Sequence, residues 1–243
     1  MHSVTRMTPP ARGDAILDDV NRPSVLVFDV NETLIDIEAL APGFEALFGD
    51  RSVLREWFAQ LVLYSMTVTL SGQYVDFVTL GRAVLRMIGD IHGVVVTDED
   101  VDRLARRMRT LPAHPDVAEG LAQLQSHGYC LVTLTNSPPT AAGATPLESA
   151  GLAGFFERQF SVDALRVFKP SPPLYTGVAA ELGVAPADCM MVAAHVWDTI
   201  GAQAADMSGA LLTRPGNAVL PVAEQMRPTV VAADLVELAE LLK

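Results

Sequence analysis

The sequence predicts an α/β protein, a doubly wound parallel sheet with a helical cap inserted after the first strand. Three observations carry that expectation. Short apolar runs at Val25–Phe28, Cys130–Leu134 and Cys189–Ala193 read as strands covered on both faces. From Val117 onward such runs alternate with helical segments, the βαβα order of a parallel sheet with right-handed crossovers. Between the first run and the second, roughly Ile37 to Arg109, the periodicity is helical and no partner strand is evident.

Taken in order, the first 23 residues lack the long apolar stretch of a signal peptide and are expected to be a loosely ordered extension of a cytoplasmic protein. Ser24 to Asp36 holds the first strand and a polar turn. In the insertion, Leu54, Trp57, Phe58, Leu61, Val62 and Tyr64 recur at near-helical spacing, as do Phe77, Leu80, Val84, Leu85 and Ile88. A further helix is expected over Asp98–Arg109, with Thr97 as its cap and Asp98, Glu99 and Asp100 at the positive end of its dipole. Leu111-Pro112-Ala113-His114-Pro115 breaks the pattern and marks the return to the core.

The remaining elements keep to the alternation: a helix from Val117 to His127, the strand from Cys130, a short helix at Pro146–Ala150 and a short strand at Phe160–Val162. Then come a helix from Pro172 to Leu182, the strand from Cys189, a helix through Ala205, and last strands at Ala210–Leu212 and Thr229–Val231. The expected division is a core of residues 24–36 and 112–243 and a cap of residues 37–111.

The 243-residue chain is half hydrophobic, enough for a sizeable core, yet no apolar run approaches the ~20 residues needed to span a bilayer. A formal charge of −12 argues against nucleic acid or an anionic membrane as partner, because the long-range field repels phosphate. The two cysteines, Cys130 and Cys189, sit at the edges of apolar runs and read as buried free thiols in a reducing compartment.

Function is expected where the strands end. The first run stops at Asp29 and continues as Val30-Asn31-Glu32-Thr33; the second stops at Thr135-Asn136-Ser137; the run from Cys189 leads into His195-Val196-Trp197-Asp198; and Lys169 stands alone in a strand-to-helix loop. In a parallel sheet all these ends face one crevice. Individually each has an ordinary reading. Asp29 could ligate a metal, cap a helix or act as a nucleophile; Thr135 and Asn136 could open a turn; Asp198 could cap the next helix; Lys169 could be a surface lysine and His195 a satisfied, partly buried histidine. Their convergence is what points to a site.

The segments FDVNETLID, VTLTNS, FKPSPPLY and MVAAHVWD together resemble the haloacid dehalogenase superfamily, with its Rossmann-like core, and within it the type II L-2-haloacid dehalogenases. The resemblance runs from Ser24 to the C-terminus and includes the cap. It implies a cofactor-free hydrolase in which Asp29 attacks the halogen-bearing carbon of a short 2-haloalkanoic acid, expels halide and leaves an ester that water hydrolyses. By position, Thr33 would hold the Asp29 carboxylate, Lys169 would pair with it and Tyr175 would sit beside that pair. Asp198 and His195 would lie near the hydrolytic water, histidine standing where the family more usually has asparagine. Thr135 and Asn136, with the backbone N–H groups of Val30 and Asn31, would receive the substrate carboxylate and developing charge. A homodimer is also implied.

Two substitutions set the chain apart from the superfamily's phosphatases. Asn31 stands where those enzymes carry a proton-donating aspartate, and Ala194 where they carry an acidic ligand for Mg²⁺, so no metal site is expected. A third departs from the dehalogenases, whose cap arginine helps withdraw halide: Phe58 follows Trp57 in that place, and the nearest basic residues are Arg55 and Arg82. Phe58, Leu61, Tyr64 and Met66 are expected to wall an apolar pocket above Asp29, with Trp197, Asn136 and His195 offering polar edges to a halide. Two alternatives remain open: a hydrolase of another small substrate, phosphatase-like, and a non-catalytic protein of the same fold.

Overall fold

The computed structural model describes residues 22–139, 144–221 and 223–243. The elements run β1 (Val25–Phe28), α1 (Ala41–Phe48), α2 (Val53–Leu70), α3 (Phe77–His92), α4 (Asp98–Met108), α5 (Val117–Ser126), β2 (Cys130–Thr135), α6 (Pro146–Ser149) and β3 (Arg158–Ser161). They continue with α7 (Pro172–Leu182), β4 (Cys189–Ala193), α8 (Val196–Gln203), β5 (Ser208–Leu212), β6 (Val230–Ala232) and α9 (Leu235–Leu241).

The strands form one parallel sheet in the order β3-β2-β1-β4-β5-β6. The order reverses direction around β1, which is the topological switch point of a doubly wound fold. Every residue of β1 and β4 is buried, as a sheet covered on both faces requires. Phe28 lies level with Thr133 of β2 and Val192 of β4. With that register Asp29, the end of β2 and the start of α8 all reach the same carboxyl edge.

The insertion is helical as predicted and packs on that edge. Its chain signals operate locally. The Asp76 carboxylate caps α3 by accepting from Val78 N and Thr79 N, and Thr97 and Asp100 form a reciprocal capping box on α4. Phe168, in the loop before α7, stacks against Tyr74 and touches Phe77, and its N–H donates to Thr69 Oγ1 at 2.8 Å. These contacts seat α2 and α3 over the loop that carries Lys169.

Several boundaries move from their expected places. β3 begins at Arg158 because its register opposite Val132 starts there, and Val162 enters a 3-10 turn in which the Ser161 hydroxyl accepts from Asp163 N. β6 is shifted by one residue, to Val230–Ala232. The expected N-terminal extension falls mostly on residues outside the described ones. Arg22 is held firmly: it lies over the Tyr129 ring and donates to Tyr129 Oη and Leu242 O. Cys189 is buried, but Cys130 is only half-buried, and both are free thiols. Among the described residues no helix is long and apolar enough to cross a membrane.

Candidate active site

Asp29 ends β1 with its N–H donated to Val192 O at 3.0 Å, which ties the residue to the neighbouring strand. Thr33 Oγ1 accepts from Ala194 N at 2.9 Å and donates to Asp29 Oδ2 at 2.7 Å. Because the hydroxyl oxygen is already an acceptor, its own proton is directed at the carboxylate.

Lys169 is almost wholly buried, and its Nζ donates to Asp29 Oδ1 (2.8 Å), Asp198 Oδ2 (2.6 Å) and Leu134 O (2.9 Å). All three ammonium protons are used. Asn136 Oδ1 accepts from Lys169 N at 3.2 Å, and Tyr175 Oη donates to Asp198 Oδ1 at 2.6 Å. Both oxygens of Asp198 are thus occupied. Gly201 lets α8 approach this far: a Cβ there would meet Pro170 Cβ at 2.5 Å and Tyr175 Oη at 2.8 Å.

His195 completes the cluster. Its Nε2 lies 2.6 Å from Glu32 Oε2 and its Nδ1 3.5 Å from Asp29 Oδ2. Phe58 and Trp197 stack against the imidazole at 5.7 and 4.9 Å between centroids. Glu32 itself pairs with Arg55, whose guanidinium also meets Glu38 at 2.6 Å and Pro215 O at 2.9 Å.

Charge follows geometry. Burial alone would raise the Asp29 carboxyl, but the Lys169 charge and the His195 contacts outweigh it and hold Asp29 well below the usual carboxylate range. Burial disfavours the Lys169 ammonium, yet Asp198 and Asp29 more than compensate and raise it. Burial and the adjacent Asp198 charge push the Tyr175 phenol well above its ordinary value. Burial works against the His195 imidazolium, but Asp29 and Glu32 win and raise it from 6.5 to about 9.

The folded protein therefore holds the His195 proton more tightly than the unfolded chain does. Its stabilisation is present in full below about pH 6.5 and is lost as pH rises through about 9, amounting to about 3 kcal/mol. Urea midpoints of the wild type are expected to fall across that window, while those of His195→Gln stay nearly flat. Equal slopes in the two proteins would mean that His195 is neutral in the fold.

Of the residues singled out from the sequence, Asp29, Thr33, Lys169, Tyr175, Asp198 and His195 form one connected network, with Phe58, Trp197 and Asn136 packed against it. Asn31 Nδ2 meets Ser137 Oγ at 3.5 Å, and the Val30 carbonyl accepts from Leu34 N and Ile35 N. Thr135 Oγ1 accepts from Ser137 N at 3.1 Å, which fixes the hydroxyl at the turn after β2. A cavity of about 430 Å³ opens beside Asn31 and Ser137 and is walled by Trp57, Leu61, Phe77 and Met108. Neither Asp29 nor His195 lines this cavity, so it is not the expected pocket above Asp29; there, Phe58 packs against the His195 ring.

Three participants are not legible in the sequence as site residues. Glu32 lies between Asn31 and Thr33 with no pattern to mark it; it adopts φ 65°, a left-handed conformation unusual for glutamate, and turns its carboxylate back to His195. Arg55 draws notice only as a stand-in for the absent halide arginine, but its guanidinium is committed to Glu32 and Glu38. Arg214, in the loop after β5, grips Asp116 through both terminal nitrogens and donates to Thr33 O at 3.2 Å, bracing the turn that follows Asp29.

The donor set does not suit a divalent cation. Among the described residues no cluster of three or more His, Cys, Asp or Glu side chains could hold one, and the space between Asp29 and Asp198 is filled by the Lys169 ammonium.

Residues 23–206 match the family model described as haloacid dehalogenase-like hydrolase. The (S)-2-haloacid dehalogenase of Xanthobacter autotrophicus is 31% identical over 191 residues, covering 78% of this chain and 74% of that one. The (S)-2-haloacid dehalogenase 4A of Burkholderia cepacia is 30% identical over 193 residues, 79% of this chain and 83% of the relative. The solved structure of the L-2-haloacid dehalogenase from X. autotrophicus with chloropropionic acid covalently bound superposes with a TM-score of 0.79 at 27% identity, covering 90% of this chain and 98% of that one. With a strand-end Asp29 held by Thr33 and Lys169, and relatives that match over most of their length, the chain belongs to the haloacid dehalogenase-like hydrolase family.

Proposed function

We propose that this protein hydrolyses the carbon–halogen bond of short (S)-2-haloalkanoic acids through an ester on Asp29, giving 2-hydroxy acids. The observation that carries the reading is the Asp29 carboxylate itself, ionised although buried, with one oxygen held by Thr33 and the other by Lys169. A carboxylate is a weak nucleophile in water; removed from water and fixed in one orientation it becomes a competent one. The covalently bound chloropropionic acid in the X. autotrophicus structure supports the same chemistry.

In this reading residues 37–111 form a cap over a core of residues 24–36 and 112–243. The substrate carboxylate is received near Asn136, Thr135 and the backbone of Val30 and Asn31. With Phe58 in the place of the cap arginine, the leaving halide meets the edges of Phe58 and Trp197 and the charge of His195. Asn31 in place of a proton-donating aspartate favours a leaving group that needs no proton, which halide satisfies and a phosphate ester's alcohol does not. We further propose a cytoplasmic location, for which the two free thiols are the support, and a homodimer.

The test is chloride release from each enantiomer of 2-chloropropionate in EDTA. The expected result is metal-independent release from the (S) enantiomer. Release of phosphate from small esters with Mg²⁺, and no chloride, would replace this reading with the phosphatase one.

A further inference from the structure

We propose that the cavity of about 430 Å³ between α2, α3, α4 and the turn after β2 binds an apolar monocarboxylic acid, with its hydrocarbon tail against Leu61, Leu104 and Met108 and its carboxylate at Arg82 and Arg109. The site is separate from the Asp29 cluster, and the proposal goes beyond the dehalogenase reading without depending on it.

The sequence of α4 builds one wall. Val101, Leu104, Ala105 and Met108 stand at i, i+3, i+4 and i+7, an apolar stripe on an otherwise charged helix. Packing normally buries such a stripe. Here only Val101 is buried, while Leu104, Ala105 and Met108 stay half-buried along the cavity. Leu61 of α2 and Phe77 of α3 continue the apolar lining. Trp57 adds only carbon to it, because its indole N–H is already donated to Gly81 O at 3.0 Å. Water against hydrocarbon walls lacks hydrogen-bond partners, so its replacement by an apolar chain is favourable. The volume falls within the range of small-molecule sites.

Charge selects the head group. The chain carries −12 overall, yet no acidic side chain lines this cavity and two arginines do. Arg82 meets Asp102 at 3.2 Å, a contact between two exposed side chains, and Arg109 enters no ion pair among the described residues. The other polar groups on the wall, Asn31 and Ser137, are neutral and meet each other at 3.5 Å. The arginines are therefore the charged groups that a ligand encounters. A guanidinium pairs with a carboxylate through two parallel hydrogen bonds, and a monoanion is the anion that a net-acidic protein repels least.

The experiment titrates octanoate into the full-length protein by isothermal titration calorimetry, with hexanoate and octan-1-ol as comparisons. The expected result is saturable binding of one octanoate per chain. Hexanoate should bind about tenfold more weakly for its two missing methylenes. Octan-1-ol should bind about fivefold more weakly for its missing charge. Arg109→Gln, a change at an exposed position, is expected to weaken octanoate about fivefold and leave octan-1-ol unchanged. Ala105→Trp, which fills the cavity from α4, is expected to abolish binding of both ligands at a near wild-type urea midpoint. No saturable octanoate binding, unchanged binding in folded Ala105→Trp, or equal affinity for octanoate and octan-1-ol would each overturn the proposal. Should Ala105→Trp not fold, the comparison of the two ligands in Arg109→Gln decides it, and an octanoate affinity equal to that of the wild type would sink it.

Discussion

Asp29→Asn is expected to abolish halide release, lowering it by about four orders of magnitude or more, while the protein remains folded. The amide is nearly the same size as the carboxylate and can still accept from Thr33, so packing at the end of β1 is little disturbed. What it lacks is the anionic oxygen that, in the proposed mechanism, forms the ester, and Asp198 is not placed to substitute for it, being locked between Lys169 and Tyr175. Losing the group that makes the covalent bond is the costliest single change such a site can suffer. The measurement is chloride release beside a urea titration of the same preparation. Residual turnover within a hundredfold of the wild type would mean that another group attacks the substrate.

Lys169→Met is expected to cost both stability and activity. Its ammonium lies 2.8 Å from Asp29 and 2.6 Å from Asp198, all three side chains being almost completely buried. Removing one partner from such a cluster leaves uncompensated buried charge, a change of about 3–5 kcal/mol. The protein can relieve it by protonating a carboxyl, and a protonated Asp29 is no nucleophile. Halide release should therefore fall by about a thousandfold or more at neutral pH. The double variant Lys169→Met/Asp198→Asn removes the second charge and is expected to recover part of the lost stability without recovering activity. If the two substitutions destabilise additively in urea titrations, the three groups are not coupled as the distances imply.

Much of the site was legible because a parallel sheet projects the ends of its strands to one edge. An apolar run that stops at a carboxylate, as Val25–Phe28 does at Asp29, announces its own position in space. The same holds for His195 and Asp198 after β4. Lys169 has no such strand, but the resemblance of FKPSPPLY supplied its place. What was not legible depends on backbone angles and on partners distant in the chain. Glu32 looks like one polar residue of a turn, and only its left-handed conformation brings its carboxylate to His195. Arg214 reaches Thr33 from 181 residues away, a distance no local pattern encodes. Boundaries such as the start of β3 were set by register against β2, which spacing along one strand does not reveal.

The strand that ends at Asp29 comes first in the chain yet lies inside the sheet, hydrogen-bonded to β2 on one side and β4 on the other. During synthesis β1 emerges long before either neighbour exists, and Lys169 comes 140 residues after Asp29. The helices of the insertion can form from nearby contacts, but β1 must wait for distant segments, the slow and entropically expensive kind of closure. Until then its short apolar run has an unpaired edge on either side, open to non-native pairing. Asp29 and Lys169 meet only when that long loop closes, so their ion pair belongs to the completed sheet and not to any local segment of the chain.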